Sequence, residues 1–104
     1  MIACKFQRRD SLLTGFSLTG HAGHAPVGED IVCAAVSAAC DLTVHQSEEY
    51  FGCKPDIRTR DGEILFSATE NLPDADRLLR AFRDYLESVA AQYPQCIQID
   101  DSEV

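Results

Sequence analysis

Apolar and polar residues alternate from the start of the chain. Ile2, Cys4 and Phe6 fall on one side and Ala3, Lys5 and Gln7 on the other, the period of a half-buried strand over 2–9. Arg8-Arg9-Asp10-Ser11 reads as a turn, and 12–19 as a second strand with Phe16 and Leu18 toward the core. Gly15 inside that strand marks a place for a bulge. Residues 20–28 hold three glycines and a proline and read as loop. The period then lengthens. From about 29 to 46 the residues Ile31, Val32, Ala35, Val36, Ala39, Leu42 and Thr43 form one stripe at helical spacing. Cys33, Ser37 and Cys40 lie together, off the centre of that stripe. Alternation returns over 53–60 and 63–69, with Asp61-Gly62 as the hairpin turn between them. Asn71 or Asp74 is placed to cap a last helix, and Pro73 suits its first turn. Leu78, Leu79, Phe82, Leu86, Val89, Ala90 and Tyr93 share its apolar face, and Pro94 ends it. Ile97-Gln98-Ile99 suggests a short edge strand before an acidic end. The order β-β-α-β-β-α predicts the α+β class: a two-layer sandwich, mainly antiparallel in its sheet, with both helices packed on one face.

At 104 residues the chain is expected to form a single domain, 1–104, with one modest core. Its net charge is −8, from 17 acidic against 9 basic residues, which argues against a nucleic-acid partner. That charge suits either a basic partner or plain solubility. The first residues carry Lys5, Arg8, Arg9 and Asp10 and have no apolar signal core, and no stretch has transmembrane length. The expectation is therefore no membrane and a cytoplasmic location. The five cysteines, Cys4, Cys33, Cys40, Cys53 and Cys96, are an odd count without a secretory signal, so free thiols are expected.

Candidate chemistry concentrates in 20–37. His21 stands on an open glycine-rich loop, and Cys33 stands in the first turn of the helix that follows. A thiol acts as a nucleophile when it is thiolate, and both a helix N-terminus and a nearby imidazole favour that form. A cysteine with a histidine has a nucleophile and a general acid for the leaving amine, and N–H groups at the helix start are candidates to hold the oxyanion. Each residue has a blander reading. Free cysteine is commonly a small buried hydrophobe. His21 and His24 can be ordinary loop residues. Asp30 is an N-cap or an orienter of the histidine, and its charge opposes thiolate formation. Ser37, one turn after Cys33, faces the site or solvent. Cys4, Cys40, Cys53 and Cys96 read as structural, Cys40 with the least support.

The run Gly20-His21-Ala22, then Gly28, then Asp30-Ile31-Val32-Cys33-Ala34-Ala35-Val36-Ser37 resembles the signature of the ribosomal-processing cysteine protease family, Prp. The resemblance implies a cysteine endopeptidase of bacterial cytoplasm. Its substrate would be the precursor of ribosomal large-subunit protein twenty-seven, from which it removes a short N-terminal extension during ribosome assembly. The family's catalytic histidine maps onto His21 and its nucleophile onto Cys33, with Gly20, Asp30 and Ser37 as supporting positions. A homodimer is implied, as is a mobile substrate loop, here Ala22, Gly23, His24, Ala25, Pro26 and Val27. Neither a cofactor nor a metal is expected.

Two rivals belong to other classes. One is a non-catalytic acidic dimer that docks a basic ribosomal protein. The other is a thiol-redox or metal protein. A disulfide between Cys33 and Cys40 would span about two helical turns, beyond ordinary disulfide reach. A zinc site would have to gather His21, His24, Cys33 and either Cys40 or His45, at a spacing that matches no common knuckle.

Overall fold

The computed structural model describes residues 1–26 and 28–103. Strands β1 (Ile2–Arg9) and β2 (Leu12–Gly20) form the first hairpin, with Cys4 opposite Leu18 and Phe6 opposite Phe16. The register slips beside Gly15, where Gln7 pairs with Gly15 and Arg8 with Leu13. A Cβ on Gly15 would press on the Phe66 carbonyl, so the bulge and the glycine go together. Helix α1 runs from Ile31 to Glu49, two residues later at its start and three at its end than the pattern predicts. A second hairpin follows, β3 (Asp56–Arg60) with β4 (Glu63–Ser67), both shorter than expected. Cys53 lies before β3, buried, and its carbonyl accepts the N–H groups of Thr69 and Glu70.

Helix α2 spans Leu72–Gln92, with Pro73 in its first turn as expected. Its cap departs from expectation. Asn71 sits at the cap position with φ +51 and makes no capping bond. Its side-chain amide instead donates to the carbonyls of Phe51 and Gly52, so the residue ties two chain segments together.

The tail is the largest correction. Residues Ile97–Glu103 form a seven-residue strand, β5, parallel to β1. The sheet order is β3-β4-β2-β1-β5, mainly antiparallel as expected with β1 and β5 as its one parallel pair among the described residues, and the element order gains a final strand. Ile97 and Ile99 continue the apolar rows of Ile2 and Cys4. Asp101 then falls opposite Phe6 and accepts from Arg8 at 3.2 Å and from Arg83 of α2 at 3.0 Å. The acidic end is thus a strand held by two arginines.

The helices cover one face of the sheet. Phe6 and Phe16 meet Phe82 of α2 there, Phe16 at 5.0 Å from it, and Phe66 stacks on Phe16 at 5.1 Å. Buried Asp76 of α2 accepts the N–H of Leu13 at 2.8 Å and the guanidinium of Arg80, which pins the first hairpin to the helix. Helix α1 is rotated from the predicted stripe. Its buried line is Val32, Val36, Cys40, Thr43 and Ser47, while Ile31 and Leu42 are 60% and 57% exposed. Thr43 and Ser47 donate their hydroxyls to Ala39 and Val44 carbonyls one turn back, so each packs as a satisfied small side chain. The rotation brings Cys40 to the core and leaves Cys33 half-buried beside it. Among the described residues no helix is long and apolar enough to cross a membrane.

Candidate functional site

Strand β2 ends at Gly20, whose φ is +89 and whose N–H donates to the Gly62 carbonyl. A Cβ there would stand 2.5 Å from the Met1 carbonyl oxygen, so the position admits glycine alone. The chain then leaves the sheet, crosses the head of α1 as a loop, and re-enters regular structure at Ile31. Asp30 organises that crossing. One carboxylate oxygen accepts the N–H groups of Val32 and Cys33, each at 3.0 Å, which caps the helix. The other accepts those of His24 at 2.9 Å and Ala25 at 3.2 Å. Burial pushes the Asp30 carboxyl up, and the four backbone donors outweigh it, so it titrates below the usual carboxylate range. Among the described residues the Asp30 carboxylate partners are these four N–H groups, and His21 is not among them.

The loop returns to the thiol at one atom pair. The Ala22 N–H donates to Cys33 Sγ at 3.2 Å. The residue next to His21 is therefore fixed against the sulfur, while the His21 side chain is exposed. Among the described residues no hydrogen bond joins the His21 ring to Sγ. His21, Cys33 and Ser37 stand on the ridge between two hollows and line both. The sheet-side cleft, about 290 Å³, has apolar walls from Ile2, Leu18, Val36 and Ile64, with Cys40 below and Asp41 and Glu63 among its lining residues. The loop-side hollow, about 440 Å³, lies between the helix and Gly23, Ala25, Pro26 and Gly28. Cys33 thus faces open space on both sides of its loop contact.

His24 lines neither hollow. Its ring packs edge-on against Tyr93 at 5.1 Å, while its N–H serves Asp30. Val27, the last position of the expected substrate loop, lies outside the described residues. All five cysteines are free. Burial pushes the Cys4 thiol up to about 12, reinforced by Cys40 nearby and opposed by Arg83. It pushes Cys40 up to about 11, with Asp41 adding to it. Burial also raises Cys53, again with a nearby acid, Asp74. Among the described residues no three His, Cys, Asp or Glu side chains converge as metal ligands; His24 is on Tyr93 and His45 on Tyr50.

The pattern along the chain placed His21, Cys33 and Ser37 in one neighbourhood, and the structure brings them to one ridge. It did not place the Ala22 N–H, which a sequence cannot show because every residue but proline carries that group. Nor did it place Asp41 and Glu63. Asp41 follows Ser37 by one helical turn, so the helix period alone pointed to it.

A family model described as cysteine protease Prp matches residues 1–98. Among solved structures, the ribosomal processing protease Prp of Staphylococcus aureus, in complex with a covalently linked product peptide, superposes with a TM-score of 0.92. The two are 26% identical over 98% of this chain and 100% of that one. The same enzyme in complex with a substrate peptide gives 0.86 at 25% identity, again over 98% and 100%. The protein SMU.848 of Streptococcus mutans gives 0.83 at 28% identity over 100% of this chain and 96% of that one. No curated protein matches in sequence. With a matching fold and a half-buried thiol between two hollows at the head of α1, the chain belongs to the cysteine protease Prp family.

Proposed function

We propose that the protein is the endopeptidase that removes the N-terminal extension from ribosomal large-subunit protein twenty-seven, working through a Cys33–His21 dyad in bacterial cytoplasm. The observation that carries this reading is the bond from Ala22 N–H to Cys33 Sγ, which seats the thiol at the lip of a cleft that His21 shares. In the reaction, the Cys33 proton passes to His21 and the sulfur attacks the scissile carbonyl. The carbon–nitrogen bond breaks as His21 protonates the leaving amine. Water then loses a proton to His21, adds to the thioester, and frees the acid and the thiol.

The supporting positions have distinct parts. Gly20 gives the turn that delivers His21, Asp30 fastens the loop to the helix head, and Ser37 flanks the thiol on the cleft side. Residues Ala22 to Val27 cover bound substrate. The apolar cleft walls beside Asp41 and Glu63 suit an apolar side chain next to a basic segment, and the −8 charge suits a basic ribosomal protein. The printed descriptions of the Staphylococcus aureus structures, a ribosomal processing protease with substrate and product peptides, support the same substrate class.

A homodimer is part of the proposal. Helix α2 presents Leu78, Ala81 and Tyr85 along a groove against Ala38 and Leu42 of α1. Arg77 and Asp84 flank it and have no ion pair among the described residues. An antiparallel second copy of α2 centred near Ala81 would set each Arg77 against the other's Asp84, the self-complementarity a two-fold axis requires.

The test is mass spectrometry of the precursor of ribosomal large-subunit protein twenty-seven after incubation with the protein. One cut near the N-terminus, absent with Cys33→Ala, is expected. An intact precursor that still binds both forms would move the protein to the docking reading.

A further inference from the structure

A tetrahedral intermediate on Cys33 needs donors for its oxyanion, and the helix head is the obvious place to look. That place is occupied. The Val32 and Cys33 N–H groups both serve the Asp30 carboxylate, and the Ala34 N–H serves the Asp30 carbonyl. The nucleophile's own N–H is therefore directed at a carboxylate rather than at the reacting carbon. A substrate oxygen placed there would also meet the Asp30 charge.

The loop offers the alternative. The Ala22 N–H already points at Sγ from 3.2 Å, so it lies within reach of an oxygen on a carbon newly bonded to that sulfur. Behind it, Gly23 takes φ +71, and among the described residues no atom beyond its chain neighbours lies within 4 Å of where its Cβ would stand. Among the described residues the Gly23 N–H has no acceptor. Successive N–H groups around a left-handed residue form a concave anion seat. His24 and Ala25 next along the chain are held on Asp30, so this stretch is anchored before substrate arrives.

We infer that the Ala22 N–H, with the Gly23 N–H behind it, is the oxyanion donor of this protease, and that Asp30 positions it by holding the loop. The inference rests on Cys33 being the nucleophile. As the sulfur–carbon bond forms, the carbonyl π pair moves to oxygen, and the Ala22 N–H turns from sulfur to that oxygen. As the carbon–nitrogen bond breaks, the pair returns, the amine leaves with the proton from His21, and the N–H goes back to sulfur.

A backbone ester tests this. The chain can be assembled by ligation at Cys33, with lactic acid in place of Ala22, which removes the N–H and keeps the methyl group. That N–H belongs to no helix or strand ladder, so the fold loses only the bond to sulfur. Two probes are compared with the all-amide chain: hydrolysis of a peptide spanning the precursor's cleavage region, and alkylation by iodoacetamide, which forms no oxyanion. Protection from alkylation by acetyl-phenylalaninal, an aldehyde that adds to the thiol, gives a third reading. The expected result is hydrolysis slowed about a hundredfold or more and aldehyde protection weakened, with alkylation changed less than about threefold. Equal losses in hydrolysis and alkylation would reduce the N–H to a partner of the resting sulfur, and unchanged hydrolysis would remove it altogether. If the all-amide chain leaves the peptide intact, the substrate reading fails while the aldehyde arm still decides the donor.

Discussion

Cys33 and Cys40 stand seven residues apart on one helix and line one cleft, yet their surroundings differ. Cys40 is buried at the cleft floor, with its thiol raised to about 11 and an aspartate beside it. It is a protonated core residue. Cys33 is half-buried at the helix head, accepts an N–H from the loop, and faces hollows on two sides. Sharing a helix face does not by itself decide a thiol's reactivity. Access, and donors able to hold negative charge, decide it.

The sharpest way to break this contrast is substitution. Cys33→Ala is expected to lower precursor cleavage by about 10⁴-fold or more, while Cys40→Ala stays within about threefold. Product quantified by mass spectrometry decides it, and the reverse ranking would exchange the two roles. The cost of Cys40→Ala should fall on stability instead, about 1 kcal/mol by urea titration.

Next in size is the loop anchor. Asp30→Ala removes the acceptor of four N–H groups and is expected to cut kcat about a hundredfold, since Ala22 and His21 lose their fixed position. Asp30→Asn keeps one carbonyl acceptor and should lie between. If Asp30→Ala kept full kcat, the loop would need no anchor. Alkylation compares the thiols directly. Iodoacetamide at neutral pH is expected to label Cys33 in the folded protein, with Cys4, Cys40 and Cys53 labelled only after unfolding, as read by peptide mapping.

The smallest effect is in pH. Cys4 and Cys40 titrate near 12 and 11 when folded, above the 9.0 expected for an unburied thiol. Above pH 9 the unfolded chain therefore holds fewer protons than the folded one, so stability must fall as pH rises through this range. Urea midpoints from pH 8 to 11 should decline, and Cys40→Ala should flatten the decline. An equal decline in that variant would put the effect elsewhere.

Much of this was legible along the chain because the period changes cleanly. Phe6, Phe16 and Phe66 alternate on their strands, and Leu79, Phe82 and Leu86 recur at helical spacing. The pattern shows only three residues of β5 because Asp100 and Asp101 break the apolar row, and the partners of Asp101, Arg8 and Arg83, are remote in sequence. The apolar pattern rotates α1 from its true face because Cys40 and Ser47 carry weak apolar signals, although each is buried. At the site, residue types marked His21, Cys33 and Asp30, but the task of Asp30 depends on where four backbone N–H groups point. Side-chain identity carries no record of that.

Everything proposed for the site depends on Cys33 carrying the acyl group. The most direct measurement is intact-mass analysis of the protein quenched in acid during turnover of a slow ester substrate, followed by peptide mapping. An acyl adduct on the peptide holding Cys33, formed by the wild type and absent from Cys33→Ala, is the predicted result. An adduct on the Cys40 peptide, or hydrolysis by Cys33→Ala at the wild-type rate, would contradict the account.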